Sequence, residues 1–258
     1  MESLVLYEVQ DRIAKITLNR PEKRNALNPQ LISDLTEAFI RSAEDDLVKV
    51  IVLKANGDAF SAGADLEYLQ QLQHNSFEEN VADTNRLKKL FTTIYYLPKI
   101  VIAQVEGHAI AGGCGLATIC DIIFATPESN FGYTEVKIGF VPALVSCFLM
   151  QKVNEAIAKE ILLTGKTFNA EQALKYNLIN FVTKDNEIDQ KVTEFALSLC
   201  RESSGNSLMV TKQLISQTIN PTLEKSLETA AQINALVRDS SDFKKGIASF
   251  LNKEKINW

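Results

Sequence analysis

Histidine is the scarcest chemistry-bearing residue of this chain. Only His74 and His108 occur in 258 residues, so a metal site built from several imidazoles is excluded and no metal is expected. Cysteine is sparse too. Cys114, Cys120, Cys147 and Cys200 lie mostly in apolar stretches with no CxxC pair, a pattern of buried thiols in a reducing compartment. No apolar run approaches the roughly 18 residues of a membrane-spanning helix. The opening MESLVLYEVQDR is acidic and strand-like, unlike a signal peptide. A cytoplasmic protein without membrane association is therefore expected. Excess positive charge is missing as well. The net charge is −5, and an acidic surface repels phosphate backbones, so nucleic acid is not an expected partner.

What is present is ordinary globular composition, 46% hydrophobic and 23% charged, at a length that suits one large α/β unit with or without an appendage. Segments 4–9 and 13–19 read as strands. Pro29 suits a first helical turn, and Leu31, Ile32, Leu35, Phe39 and Ile40 then recur at helical spacing. The continuous apolar run VKVIVLK (48–54) predicts a strand covered on both faces, and further strands are expected at 100–105 and 122–126. Alternation of strands with helices predicts a mainly parallel α/β arrangement. After about Asn186 the pattern is helical almost throughout. Ile188, Val192, Phe195, Ala196 and Leu199 form one apolar stripe; Leu208, Val210, Leu214 and Ile215 suggest another. The expected division is a catalytic core at 1–186 and a helical region at 187–258. That region is too short for its own core, so it must pack on the first or on another subunit.

Two glycine-containing turns stand where an open α/β sheet binds ligands, past a strand and before a helix. They are FSAGADL (60–66) and GHAIAGGCGL (107–116). Small residues there let a ligand approach the backbone, although composition alone favours tight structural turns. Neither matches GxGxxG or the Walker pattern, so those phosphate cradles are unsupported.

The strings NRPEKRNAL (19–27), AFSAGADL (59–66), GHAIAGGCGLATICDI (107–122) and FGYTEVKIGFVP (131–142) together resemble the crotonase, or enoyl-CoA hydratase/isomerase, superfamily. The tail DFKKGIASFLNKEKINW (242–258) resembles its C-terminal signature. The resemblance implies a crotonase-type spiral of ββα units followed by C-terminal helices that build a homotrimer or a dimer of trimers. It implies an acyl-CoA thioester substrate and no separate cofactor, coenzyme A being part of the substrate. The backbone amides of Ala64 and Gly112 would hold the thioester oxygen. Arg24, Ala26, Ala62, Asp65 and Leu66 would lie along the substrate, with Phe250 and Lys253 at the CoA adenine and phosphates. Where some hydratases have a lysine after the GAD string, this chain has Glu67.

Family hydratases generally hold water between two glutamates. The second is Glu135; the first position is Gly115, which carries no side chain. A single base suits proton transfer between two carbons, which is double-bond isomerisation. Ala143 stands where dienoyl-CoA isomerases carry an aspartate, which disfavours that subfamily. The string EVKIGFVPALVS (135–146) with Gly115 most resembles bacterial methylglutaconyl-CoA hydratases of leucine degradation. Hydration of a branched enoyl-CoA is therefore the leading expectation, with isomerisation or a non-catalytic acyl-CoA-binding role behind it. Gly115 is expected to leave room for the substrate's branch or carboxylate. Tyr133 is expected either to hydrogen-bond the water or simply to line the pocket. His108 is expected to pack, Cys114 to be no nucleophile, Asp65 to cap a helix and Asp121 to serve structure.

Overall fold

The computed structural model describes residues 3–219, 223–239 and 241–254; residues 255–258 of the tail string and Met1 and Glu2 lie outside the described residues. The chain opens with strands β1 (Val5–Gln10) and β2 (Ile13–Leu18), then a 3₁₀ turn at Pro21–Lys23 and helix α1 (Pro29–Glu44). Asn28 caps α1 by accepting from the Leu31 N–H at 2.9 Å, and Pro29 stands in the first turn, as the sequence predicts. Next come β3 (Val50–Ala55), β4 (Ala59–Ser61), α2 (Leu66–Leu72), α3 (Phe77–Tyr96), β5 (Ile100–Val105) and β6 (His108–Ile110). Then follow α4 (Gly112–Thr118), β7 (Ile122–Ala125), β8 (Asn130–Gly132), a 3₁₀ turn at Glu135–Ile138, α5 (Ala143–Lys152) and α6 (Glu155–Thr164). The remainder is β9 (Phe168–Asn169), α7 (Ala170–Lys175), β10 (Phe181–Val182), α8 (Asp185–Glu202), α9 (Gly205–Ile219), α10 (Leu223–Arg238) and α11 (Ser241–Leu251).

The strands form two sheets. The larger has the order β1-β2-β3-β5-β7-β10, parallel except for the β1–β2 hairpin. Its central strands are apolar at nearly every position because both faces are covered. Alternate residues face opposite ways: Ile51, Leu53, Val101 and Ala103 join the core beneath α1 and α3, while Val50, Val52 and Ile102 meet Ile188, Val192 and Ala196 of α8. The first stripe expected after Asn186 thus seals the far face of the sheet.

The smaller sheet, β4-β6-β8-β9, is parallel across its first three strands. Each ββ pair (β3–β4, β5–β6, β7–β8) sends one strand into each sheet and then turns into helix, which gives the spiral of ββα units. Helix α10 packs on α3 and α5, and α11 packs on α2 and on the 3₁₀ turn at Glu135. Lys212 ties α9 down through Asp121 at 2.7 Å, and Asp121 also accepts from the Val101 N–H at 2.7 Å; its structural role is as expected. Among the described residues no helix is long and apolar enough to cross a membrane.

Candidate active site

The smaller sheet assembles the site. Its register sets Ser61 beside Ala109 and Ile110 beside Gly132, so the carboxyl ends of β4, β6 and β8 emerge side by side. From these ends the chain runs on, in turn, through residues 62–65, 111–112 and 133–135. Parallel neighbours therefore deliver two backbone turns and one carboxylate to the same place.

Backbone geometry aims the first amide. Leu27 bridges Ala64 in parallel fashion, its N–H donating to Gly63 O at 2.7 Å and its carbonyl accepting from the Asp65 N–H at 3.0 Å. In such a bridge the middle residue's own N–H points away from the partner strand. Ala64 itself lines the cavity. The second amide belongs to Gly112, the first residue of α4, where a helix has no internal acceptor for an N–H. Ala111 ahead of it has φ +50° and ψ −123°, a conformation that costs a residue with a Cβ about 1–3 kcal/mol. Two hydrogen bonds hold it there, Ala111 N–H to Gly132 O at 2.7 Å and Gly115 N–H to Ala111 O at 3.0 Å. The turns abut: a Cβ on Gly63 would stand 3.4 Å from Gly112 N, and one on Gly113 would collide with the Ser61 carbonyl.

Glu135 is 7% exposed and its Oε2 has no hydrogen-bond partner among the described residues. Burial pushes its carboxyl up from 4.5 to about 7. It lines a cavity of about 270 Å³ together with Ala62, Ala64, Leu66, Gly112 and Phe250. The rest of the wall is mainly apolar, including Leu69, Leu87, Ile110, Phe140 and Leu144, and holds no second carboxylate among the described residues. An adjoining groove of about 430 Å³ shares Ala62, Ala64, Leu66 and Phe250 and adds Arg24, Ala26 and Asp65. Asp65 caps α2, accepting from the Glu67 and Tyr68 N–H groups at 3.0 and 3.2 Å, and pairs with Arg20 at 2.6 Å. Glu67 pairs with Lys23 at 2.6 Å across the groove's rim.

Three expectations need correction. Gly115 opens no space: a Cβ there would collide with Val145 Cγ1 and stand 3.1 Å from the Phe91 ring, so neighbouring side chains fill the volume a glutamate would need. Tyr133 neither lines the cavity nor faces it. Its side chain is fully buried, with the hydroxyl 2.6 Å from Thr118 Oγ1. His108 is exposed rather than packed. Lys253 stands outside the lining of both cavity and groove within one chain, where a contact made across a subunit boundary would also leave it. Cys114 is fully buried with its thiol pushed up to about 12, which leaves it inert.

Some residues of the site were missed in the sequence. Asn25 is fully buried and donates to Asn56 O and Ala59 O at 2.8 Å each, fixing the loop below Ala62. Asn234 and Arg238 reach the cavity from α10. A polar residue at helical spacing gives no sign that it faces an interior wall.

Residues 8–258 match the model of the enoyl-CoA hydratase/isomerase family, and the chain belongs to that family. A relative named putative enoyl-CoA hydratase, from Thermus thermophilus, is 41% identical over 244 residues, covering 93% of this chain and 95% of its own. A crotonyl-CoA hydratase of Syntrophomonas wolfei is 29% identical over 98% of this chain and 97% of its own. Among solved structures, an enoyl-CoA hydratase from Mycobacterium avium superposes with a TM-score of 0.89 at 31% identity, covering all of both chains.

Proposed function

We propose that this protein is an enoyl-CoA hydratase, adding water across the 2,3 double bond of an acyl-CoA thioester. One observation carries the reading: a buried, hydrogen-bond-poor carboxylate shares an apolar cavity with two backbone turns that offer free amides. The thioester oxygen accepts from the Ala64 and Gly112 N–H groups. Each such donor is typically worth about 3 kcal/mol of barrier, because it is already oriented where enolate charge develops. Ionised Glu135 takes a proton from water as the hydroxyl adds to C3. The same group, now protonated, delivers a proton to C2. A carboxyl near pH 7 suits both halves of that cycle. The acyl group occupies the inner cavity and the CoA portion the adjoining groove, where exposed Arg24 meets phosphate. The string at 135–146 favours a branched substrate of the methylglutaconyl-CoA type, from leucine degradation.

A lone carboxylate also suits isomerisation, in which Glu135 would move one proton between C4 and C2. Products separate the two. Turnover of crotonyl-CoA and 3-methylglutaconyl-CoA in oxygen-labelled water should give a 3-hydroxyacyl product carrying the label. An unlabelled product with a migrated double bond, formed from a 3-enoyl-CoA, would establish the isomerase instead.

A further inference from the structure

Hydration asks more of a site than a base. A water that meets Glu135 through one hydrogen bond still turns about that bond, and a misdirected nucleophile loses rate steeply. A second polar group has to fix its orientation. The side of the cavity at Gly115 supplies none, because Val145 Cγ1 and the Phe91 ring take the space there. Most of the remaining wall is apolar. Two of its polar side chains, Asn234 and Arg238, come from α10. Asn234 Oδ1 and Arg238 Nε are sealed from water, and Arg238 is paired with Asp83 at 2.7 Å.

Thr134 is placed differently. It lines the same cavity and immediately precedes Glu135, at the start of the 3₁₀ turn. A threonine ahead of a helical turn ordinarily bends its hydroxyl back to accept from the first N–H groups, yet Thr134 makes no such bond. Its carbonyl accepts from the Lys137 N–H at 3.0 Å instead, so the backbone closes the turn without help from the side chain. The hydroxyl has no hydrogen-bond partner among the described residues. Nor is it one of the sealed polar atoms, as Glu135 Oε2 is, so on half-buried Thr134 it stays open to water. An idle hydroxyl thus stands on the cavity wall one residue from the base.

We propose that Thr134 is a positioning residue for hydration, its hydroxyl holding the water that Glu135 deprotonates. The proposal rests on the hydratase reading above. The water donates one hydrogen to the Glu135 carboxylate and the other to Thr134 Oγ1, since a hydroxyl oxygen offers two lone pairs. That leaves a lone pair of the water for C3. As the C3–O bond forms, the first hydrogen passes to Glu135 as a proton. The electron pair of the double bond moves toward C2 and the thioester oxygen. The hydrogen held by Thr134 stays on the oxygen and becomes that of the product hydroxyl.

The test follows hydration of crotonyl-CoA and binding of butyryl-CoA, a saturated thioester with no double bond to hydrate. Thr134→Val keeps the shape and removes the hydroxyl. It should lower kcat for hydration by at least about fivefold, as loss of one neutral hydrogen bond implies. The Kd for butyryl-CoA and the unfolding midpoint should stay at their wild-type values, because the hydroxyl has no partner in the protein to lose. Thr134→Ser keeps the hydroxyl and should stay within about twofold of wild-type kcat. Thr134→Ala removes the hydroxyl without added bulk and repeats the test should the valine variant not fold. Wild-type kcat in the variants without the hydroxyl would overturn the proposal. So would a serine variant as slow as they are, or a parallel loss of butyryl-CoA binding, which marks a structural role. Each of these leaves the hydratase reading standing. Wild-type protein that hydrates neither crotonyl-CoA nor 3-methylglutaconyl-CoA would overturn that reading and this proposal with it.

Discussion

Burying Glu135 has two consequences of opposite sign. As a base it must be ionised, so kcat/KM should fall as pH drops below about 7. Stability runs the other way. The folded-state value lies above the ordinary 4.5, so the carboxyl's contribution is fully present below about 4.5 and is lost as pH rises through about 7. Glu135→Gln, which removes the charge but keeps the shape, should therefore be more stable than wild type at about pH 9, by up to about 3 kcal/mol, and not at about pH 4. Denaturant unfolding at the two pH values measures this. An equal difference at both would mean that Glu135 is not buried as described. The identity of Glu135 was legible from its motif, because the string fixes the backbone turn that carries it. The surroundings of Gly115 and Tyr133 were not. Val145 and Phe91, which fill the space at Gly115, come from other elements, and Tyr133 turns to Thr118 on α4; side-chain direction follows from packing that no linear string encodes.

Among the elements, the short strands of the smaller sheet matter most and were least visible. The three strands that position the site, β4, β6 and β8, have three residues each, too few for a two-residue period to show. The longer strands β2, β3, β5 and β7 were expected within about two residues because their apolar runs are long enough to read. Helix α11 makes a contact that is open to test. Its Gly246 lies so close to the Ile138 carbonyl, at the end of the 3₁₀ turn carrying Glu135, that a Cβ would collide with it. Gly246→Ala should push that turn and α11 apart and displace Glu135. Turnover should fall by at least about tenfold, since misplaced catalytic groups lose effective concentration steeply. A fully active, normally stable variant would show that α11 does not support the turn.

For the whole molecule, the question is what the helical third does beyond sealing the sheet. Val210, Leu214 and Ile215 of α9 are about half exposed, at 48%, 57% and 50%, and Leu236 of α10 is 61% exposed. Exposed large apolar side chains on these helices suit a surface for association. We expect a trimer, or a dimer of trimers, with light scattering giving three or six chain masses at micromolar concentration. A stable monomer there would contradict it. That a helical region would follow the α/β core was readable from the change in periodicity. How it divides between covering its own sheet and meeting a partner was not, because an apolar stripe looks alike in both settings.

In the proposed reaction one carboxylate, Glu135, performs both proton transfers beside an oxyanion site made of backbone. Turnover of Glu135→Gln tests it most directly. The substitution keeps size and hydrogen-bonding reach but cannot accept a proton, while the Ala64 and Gly112 amides remain in place. General acid–base catalysis is usually worth about 10²–10⁴-fold, and a group acting twice should sit at or above the upper end. Measured with the best hydration substrate, kcat should drop by about 10⁴-fold or more while KM stays nearly unchanged. A glutamine variant that retains wild-type kcat would remove Glu135 from that role.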